Sequence, residues 1–566
     1  MLNSPGYPGN KSAKINREMN KTMKYLSIAS IVLAGAMILG CSQEDLPNLQ
    51  PETPSGNIVI RTATISMEGE EPTRALTEHG VKTFKAGDKI AVVYEKTNEV
   101  FAKAVATLTA EDITDEGKSA TITVTLTNPK TDGIVKYVYP DAMTWDNGNI
   151  KFDGLYAEQD GTLSKLAREF DYAKFEGTFN GLELPKGTLK NQLAICKFTI
   201  KDGESTDITS QLTRLTIKNG SDVYFINPSS LDNIWVALRP ISSGNIDIYA
   251  AKTWKLFKKT VTGNPTLAAN TLTPITVTAP IVPGALSGLF SVNDNHDLVY
   301  FSQGNLQAQW DKTNSYWTWK FAEYQHEYIQ NFQANIRPKS PDNGDKIDLF
   351  GWSTGTLDNF FGISDSKNDG HYSGIFFDWG WSNIINGGGN KQWRTPSKSE
   401  FDYILFQRSS GNYIAGVYGA RYMKVHFPPD SEGKIHVAGI VLFPDHYVLP
   451  TLQKTEIYWQ DINDYETYTP GVELDWYDWG KMEAAGAVFL PAAGYREGNE
   501  VTLVWENYPE GNYWTSSQGS AGECANCMDF GKYVDDYENY HYRIYFPDYS
   551  RSYGFSVRLI GPWIEN

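Results

Sequence analysis

The chain is predicted to be mainly β: two β-sandwich domains followed by an α+β domain. Three observations point there. From residue 58 onward, short runs alternate apolar and polar residues, the period of a half-buried strand. Few stretches sustain a 3.6-residue period long enough for a helix. Gly (49) and Pro (27) provide frequent turns, and the aromatic fraction of 13%, with 33 Tyr and 16 Trp, favours pleated surfaces. At 566 residues the chain has room for about three or four domains, so core size is no constraint. The formal net charge of −17 argues against a nucleic-acid partner, which needs a basic footprint.

Residues 1–22 are polar and patternless. Met23-Lys24-Tyr25 then opens an apolar run, Leu26 to Leu39, interrupted only by small polar residues. A positive start, a short apolar stretch and a small residue at its end predict a secretory signal over 1–40, too short to span a bilayer comfortably. Met19 and Met23 are alternative starts that would leave the residues before them untranslated, 1–22 in the case of Met23. Ile38-Leu39-Gly40-Cys41 resembles a bacterial lipobox, which implies that Cys41 is the acylated first residue of the mature protein. The alternative is a plain signal with an incidental Cys. Ser42-Gln43-Glu44-Asp45 resembles the acidic tag that sends lipoproteins of some Gram-negative bacteria to the outer face. Residues 41–57, with Pro47, Pro51 and Pro54, read as a lipidated tether.

Ile58 to Ser66 is an alternating strand. Phe84-Lys85-Ala86-Gly87-Asp88-Lys89-Ile90 is a turn entering another strand, and Ala120 to Leu126 and Val135 to Tyr139 continue the period of two. Arg74-Ala75, that Phe-x-x-Gly-Asp-x-Ile turn, Tyr139-Pro140, Gln159-Asp160-Gly161-Thr162 and Leu189 to Phe198 resemble, in that order, the fimbrillin-like family. Its members are subunits and anchors of surface pili built from two transthyretin-like sandwiches. The resemblance implies sandwiches over 58–186 and 187–282. It also implies pilin subunits as partners by donor-strand complementation, after proteolysis at Arg74, behind the first strand. Arg61, inside the strand, is the poorer candidate. Cys196 reads as a buried small hydrophobe.

Ala279 to Leu286, with Pro280, Pro283 and Gly284, reads as a linker. Beyond it the composition turns to Trp, Gly and Asn. Ser397-Lys398-Ser399-Glu400 is a capping box, and Phe401, Ile404, Leu405 and Arg408 follow at helical spacing. A second helix is predicted over Trp476 to Ala485. Five segments come in order: Trp393-Arg394-Thr395-Pro396 with Glu400-Phe401, Gly439 to Asp445, Leu490 to Arg496, Tyr513 to Ser517, and Gly554 to Arg558. They resemble bacterial surface domains with a C-type-lectin-like fold of the formylglycine-generating-enzyme type, over 287–562. That resemblance implies a ligand surface on the final strands and their loops, Gln518 to Tyr553. Some such domains are diversified there by retroelements, and the Tyr, Asp, His and Ser content fits that origin; related domains that are not diversified are also polar there, so the composition speaks for binding and not for its origin.

This span mixes Tyr with Asn, Asp, Ser and Arg, which is the composition of a binding surface; the bland alternative is a wet β edge using Tyr for strand propensity. In His541 to Phe546 the period of two puts Tyr542, Ile544 and Phe546 on a core face and His541, Arg543 and Tyr545 outward. Pro547 ends the strand. His541, Arg543, Tyr545, Tyr549, Arg551 and Tyr553 are therefore the expected ligand-binding residues, one aromatic and basic patch on an acidic molecule.

Cys524-Ala525-Asn526-Cys527 has redox spacing but lies in a Gly- and Ser-rich turn, so a local disulfide between Cys524 and Cys527, or a pair left unused, is the expectation and catalysis is not. Eight His in the whole chain make a four-ligand zinc site a poor fit. Carboxylates would allow calcium, without EF-hand spacing to support it. No cofactor and no catalytic residues are expected. The expected function is that of a pilus-tip or pilus-associated adhesin, held at the outer membrane by lipid and binding a host or bacterial surface glycan or protein. The alternatives are a lipid-anchored surface binder outside any pilus, and an enzyme of the sulfatase-modifying type.

Overall fold

The computed structural model describes residues 57–67 and 83–562, apart from 142–143, 147–148, 153, 171, 330–334, 336–340, 343, 357–358, 429–436, 465–470, 503–509 and 535–539. The signal segment, Cys41, the tether up to Gly56, and Arg74 lie outside the described residues. From Asn57 onward the chain is one compact unit, and it is mainly β.

The first sheet contains β1 (Ile58–Met67), β2 (Lys89–Glu95), β3 (Phe101–Thr107), β4 (Ile113–Thr114), β5 (Ser119–Thr127), β6 (Ile134–Tyr139), β7 (Ala173–Thr178) and β8 (Gly187–Asn191). They pair in the order β3-β2-β6-β7-β8-β1-β5-β4. All the longer strands feed one core: Ile65, Val92, Ala106, Ile122, Val124, Tyr137 and Leu189 meet in it, so the sheet wraps around its own apolar face. The alternation in β5 explains why. Ala120, Ile122, Val124 and Leu126 are buried while Thr121, Thr123 and Thr125 between them are exposed. Each fully buried Ile or Leu contributes about 1.5–3 kcal/mol.

The boundary expected after Lys186 cuts this sheet. Gly187–Asn191 pairs with β7 on one side and lies parallel to β1 on the other, so it belongs with the first sandwich. Parallel pairing between segments about 120 residues apart leaves no local sequence signal.

The second core lies between two sheets. One holds β9 (Ala194–Lys201), β12 (Ile234–Leu238) and β15 (Leu272–Thr278), with β9 central. The other, in spatial order, is β11 (Asp222–Ile226), β10 (Arg214–Asn219), β13 (Ile246–Lys252) and β14 (Lys255–Val261). Ile195, Ile200, Leu215, Ile226, Val236 and Ile248 pack between them. Cys196 is fully buried in this core, as expected of a small hydrophobe.

The four-stranded sheet is buried on both faces. Its outer residues Val223, Phe225, Tyr249 and Leu256 join Leu289, Tyr300, Trp352 and Trp379 in a core shared with the C-terminal region. The expected linker is accordingly not a loose one. Ala279 is fully buried, Lys258 N–H donates to Pro280 O (3.1 Å), and Val282 N–H donates to Leu256 O (2.8 Å). Arg214 fastens the same joint, donating to the carbonyl oxygens of Asp445 (2.9 Å) and His446 (2.5 Å). The His446 ring packs on Phe225 with centroids 4.5 Å apart, and burial pushes its pKa down to about 4.

In the C-terminal region β16 (Ala285–Ser291) pairs with β17 (Leu298–Ser302), which pairs in turn with Ile560–Gly561 near the end of the chain. A four-stranded sheet includes β18 (Tyr422–Phe427), β19 (Val437–Leu442) and β20 (Val488–Pro491). Both predicted helices form. α1 (Lys398–Asp402) opens with the expected capping box and runs on as a wider turn to Gln407; α2 (Trp476–Ala484) is capped by Asp475. Phe401, Ile404 and Leu405 are buried, and Arg408 forms a buried ion pair with Asp445. Asp445 also accepts from Ser291 N–H (2.8 Å), which ties α1 to β16.

Candidate ligand-binding surface

The Tyr-rich segment forms a sheet of β21 (Gly511–Gln518), β22 (Cys524–Val534), β23 (Tyr540–Tyr545) and β24 (Asp548–Ser550), in which β22 pairs with all three others. Ile544 is buried and Phe546 packs against the same core, so the face assignment from the period of two holds for the residues whose side chains are described. His541 stands opposite Tyr533 in the register; its side chain, like residues 535–539, is outside the description.

The opposite face is organised around Asp529, which is 4% exposed. Tyr545 is its direct cross-strand partner, and Tyr549 Oη donates to its carboxylate at 3.0 Å. Burial first, and then the Glu510 charge, push the Asp529 pKa up to about 6, against the hydrogen bonds from Tyr545 and Tyr549. Burial and Asp529 in turn raise both tyrosines. The Arg543 guanidinium lies over the Tyr545 ring, 3.8 Å from its centroid. Tyr553 packs on Tyr495, Tyr549 and Phe555. Arg543, Tyr545, Tyr549 and Tyr553 are all half-buried, so this face is a braced aromatic layer, not a set of free side chains.

Arg551 does not belong to that face. It is 2% exposed, lies 4.4 Å from the Trp352 ring centroid, and donates to the carbonyl oxygens of Cys524 (3.2 Å), Tyr372 (3.2 Å) and Gly374 (3.0 Å). Its role is to bind the 372–374 turn to the last strands. The expected disulfide is also absent: Cys524 and Cys527 are free thiols. Both lie in β22, where residues three apart point to opposite faces, so Cys527 is buried while Cys524 is half-exposed. Among the described residues no group of three or more His, Cys, Asp or Glu is placed to hold a metal, and no helix is long and apolar enough to cross a membrane.

A second concave feature was not singled out by the sequence. A cleft of about 1020 Å³ opens between the 292–297 loop, the 375–381 segment and the start of α1, with Ser516 of β21 at its edge. Asp378 shapes one wall by accepting from Gly380 N–H (3.0 Å) and Thr395 N–H (2.8 Å); burial raises its pKa to about 6. Glu400, the capping-box residue, also receives both arms of Arg394 at 2.7 and 2.5 Å. Burial pushes its pKa up, but the guanidinium outweighs it and the net direction is down. Tyr403 Oη donates to Asp294 (3.1 Å) across the cleft. Asp297 accepts from Asn293 (2.9 Å) and faces Lys218 (3.4 Å). Ile375 and Trp381 project from the wall, 83% and 47% exposed.

No protein-family model matches the chain, and no curated protein matches it. Among solved structures it is similar to a proposed cell adhesion protein from Bacteroides uniformis (14% identity, TM-score 0.25, 39% of this chain and 97% of that one). It is also similar to a fimbrial protein from Bacteroides ovatus (9%, 0.22, 89% and 99%) and to GBS52, the minor pilin of Streptococcus agalactiae (11%, 0.18, 39% and 97%). Scores and identities this low do not assign the chain to the fold of any of them.

Proposed function

We propose that this protein is a pilus-associated cell-surface adhesin, with the two sandwiches as a pilin-type stalk and the C-terminal region as the ligand-bearing head. One observation carries the reading: the position of β1. It lies between two strands of the sheet, matched to β5 over nine residue pairs and to β8 over three. Ala63, Ile65 and Met67 enter the core from it. Arg74 follows within seven residues of its end. Cleavage there would leave β1 held by backbone bonds, these side chains and the polar contacts of Arg61 and Ser66. Its departure would open a slot with an apolar floor and two unpaired edges, which an extended strand from another subunit would fill by main-chain pairing.

The similar structures are a fimbrial protein, a minor pilin and a proposed cell adhesion protein, in keeping with this reading. Lipidation at Cys41 would anchor the chain to the outer membrane, and the ligand would be a glycan or protein of a host or bacterial surface. A lipid-anchored binder outside any pilus is the second reading. It is favoured by Arg61, which donates to Leu182 O (3.0 Å) and pairs with Glu183 (3.2 Å), pinning β1 to its neighbours.

The test is Arg74→Ala in cells that assemble the pilus. Loss of the processed form and of incorporation into sheared pilus fractions is expected. Unchanged maturation and incorporation would leave the free lipoprotein as the better description.

A further inference from the structure

We propose that the 1020 Å³ cleft beside α1 is a binding site for an uncharged oligosaccharide, distinct from the Tyr-rich sheet. The inference rests on the adhesin reading only in taking the ligand to be a surface molecule.

The size comes first. Small-ligand sites occupy about 300–1,000 Å³, so this cleft is at the upper end and takes more than a single sugar ring. Its lining comes second. Trp381, Phe376 and Phe377 offer ring surface, and Ile375 stands almost free at the rim. A sugar ring presents one face of C–H groups that packs on such surfaces and a rim of hydroxyls that must be hydrogen-bonded once desolvated. Acceptors for those hydroxyls sit beside the rings: Asp294, Asp378 and Glu400, with the hydroxyls of Ser397 and Ser399.

Charge decides the class of ligand. Among the described residues that line the cleft Arg394 is the one cation, and it is engaged by Glu400 and by Pro562 O (3.3 Å); Lys391 lies 4.4 Å from the Trp381 ring centroid. A sialylated, sulfated or phosphorylated ligand would meet Asp294, Asp297, Asp378 and Glu400 against that one lining guanidinium, an unfavourable balance for an anion. A basic peptide fits poorly as well, because each acid already has a partner. Glu400 has Arg394, Asp297 has Lys218 and Asn293, Asp294 has the Tyr403 hydroxyl, and Asp378 has two backbone N–H groups. What remains is spare acceptor capacity on carboxylates already held in place by their donors, which suits neutral hydroxyls.

The experiment uses the purified chain on an array of neutral hexose and N-acetylhexosamine oligomers, their sialylated and sulfated counterparts, and an oligolysine peptide. Trp381→Ala and Ile375→Ser remove exposed apolar surface at the cleft, and Tyr545→Ala probes the Tyr-rich sheet for comparison. The expected result is retention of neutral oligosaccharides, at least tenfold weaker in both cleft variants and less affected in Tyr545→Ala, with the melting temperatures of the two cleft variants within a degree or two of the unaltered chain. Preference for the acidic glycans or the peptide, absence of any neutral ligand, or a loss in Tyr545→Ala equal to or greater than in the cleft variants overturns the proposal. Because binding is read on purified protein and pilus incorporation in cells, either idea can fail without the other.

Discussion

Removing the Asp445 side chain isolates a fully buried ion pair of the fold. In the native chain its carboxylate pairs with Arg408, 1% exposed, and accepts from Ser291 N–H. In Asp445→Ala the Arg408 guanidinium keeps only carbonyl partners, among them Ile404 O at 2.8 Å and Phe443 O. An uncompensated buried charge of this kind costs about 3–5 kcal/mol, and the Ser291 N–H loses its acceptor besides. With about 2–4 °C of melting temperature per kcal/mol for a domain of 150–250 residues, a fall of about 6–20 °C in the C-terminal transition follows. Differential scanning calorimetry measures it. The paired variant Arg408→Met/Asp445→Leu removes both charges and should recover most of the loss, since an apolar pair of similar volume is often neutral or better. A single-variant loss below about 1 kcal/mol, or a double variant worse than the single, would refute the assignment of the pair as charged and tightly coupled.

Arg551→Ala should lower stability by about 2–5 kcal/mol in denaturant titration, because three buried carbonyls lose their donor; intact stability with lost ligand binding would return Arg551 to the binding surface. For Asp529 the folded pKa of about 6 lies above the ordinary 3.8, so the folded state holds its proton longer and this residue's contribution falls as pH rises from about 4 to 6. The difference amounts to about 3 kcal/mol. Comparing the wild type with Asp529→Asn across that window should show the variant gaining on the wild type as pH rises, and parallel curves would refute the shift.

The sheet faces and the α1 capping box were legible in the sequence because both depend on neighbours within a few residues. Ile544 turned inward and Arg543 with Tyr545 outward by alternation alone, and Ser397 with Glu400 announced the helix start three residues apart. What the sequence hid is held together by distant partners. Arg551 looks like a surface Arg until Tyr372 and Gly374, nearly 180 residues earlier, claim its donors. The Cys524–Cys527 spacing suited a turn, but pairing with β21 and β24 extends that stretch into a strand and separates the thiols. The cleft draws its walls from segments near 294, 378, 400 and 516, so no window of sequence contains it. Arg394 and Glu400 were visible only as motif residues, and their second role needs three dimensions.

The seam between the β10–β14 sheet and the head has a mechanical consequence. A flexible tether would let a bound head reorient freely, so that flow acting on the cell would be felt as tension alone. Here the sheet is clasped on both faces, and Arg214 holds the 445–446 backbone from the stalk side. Any twist or sideways drag on the C-terminal region would therefore reach the sandwiches as torque, and in the proposed adhesin the direction in which a ligand surface points would follow the orientation of the sandwiches.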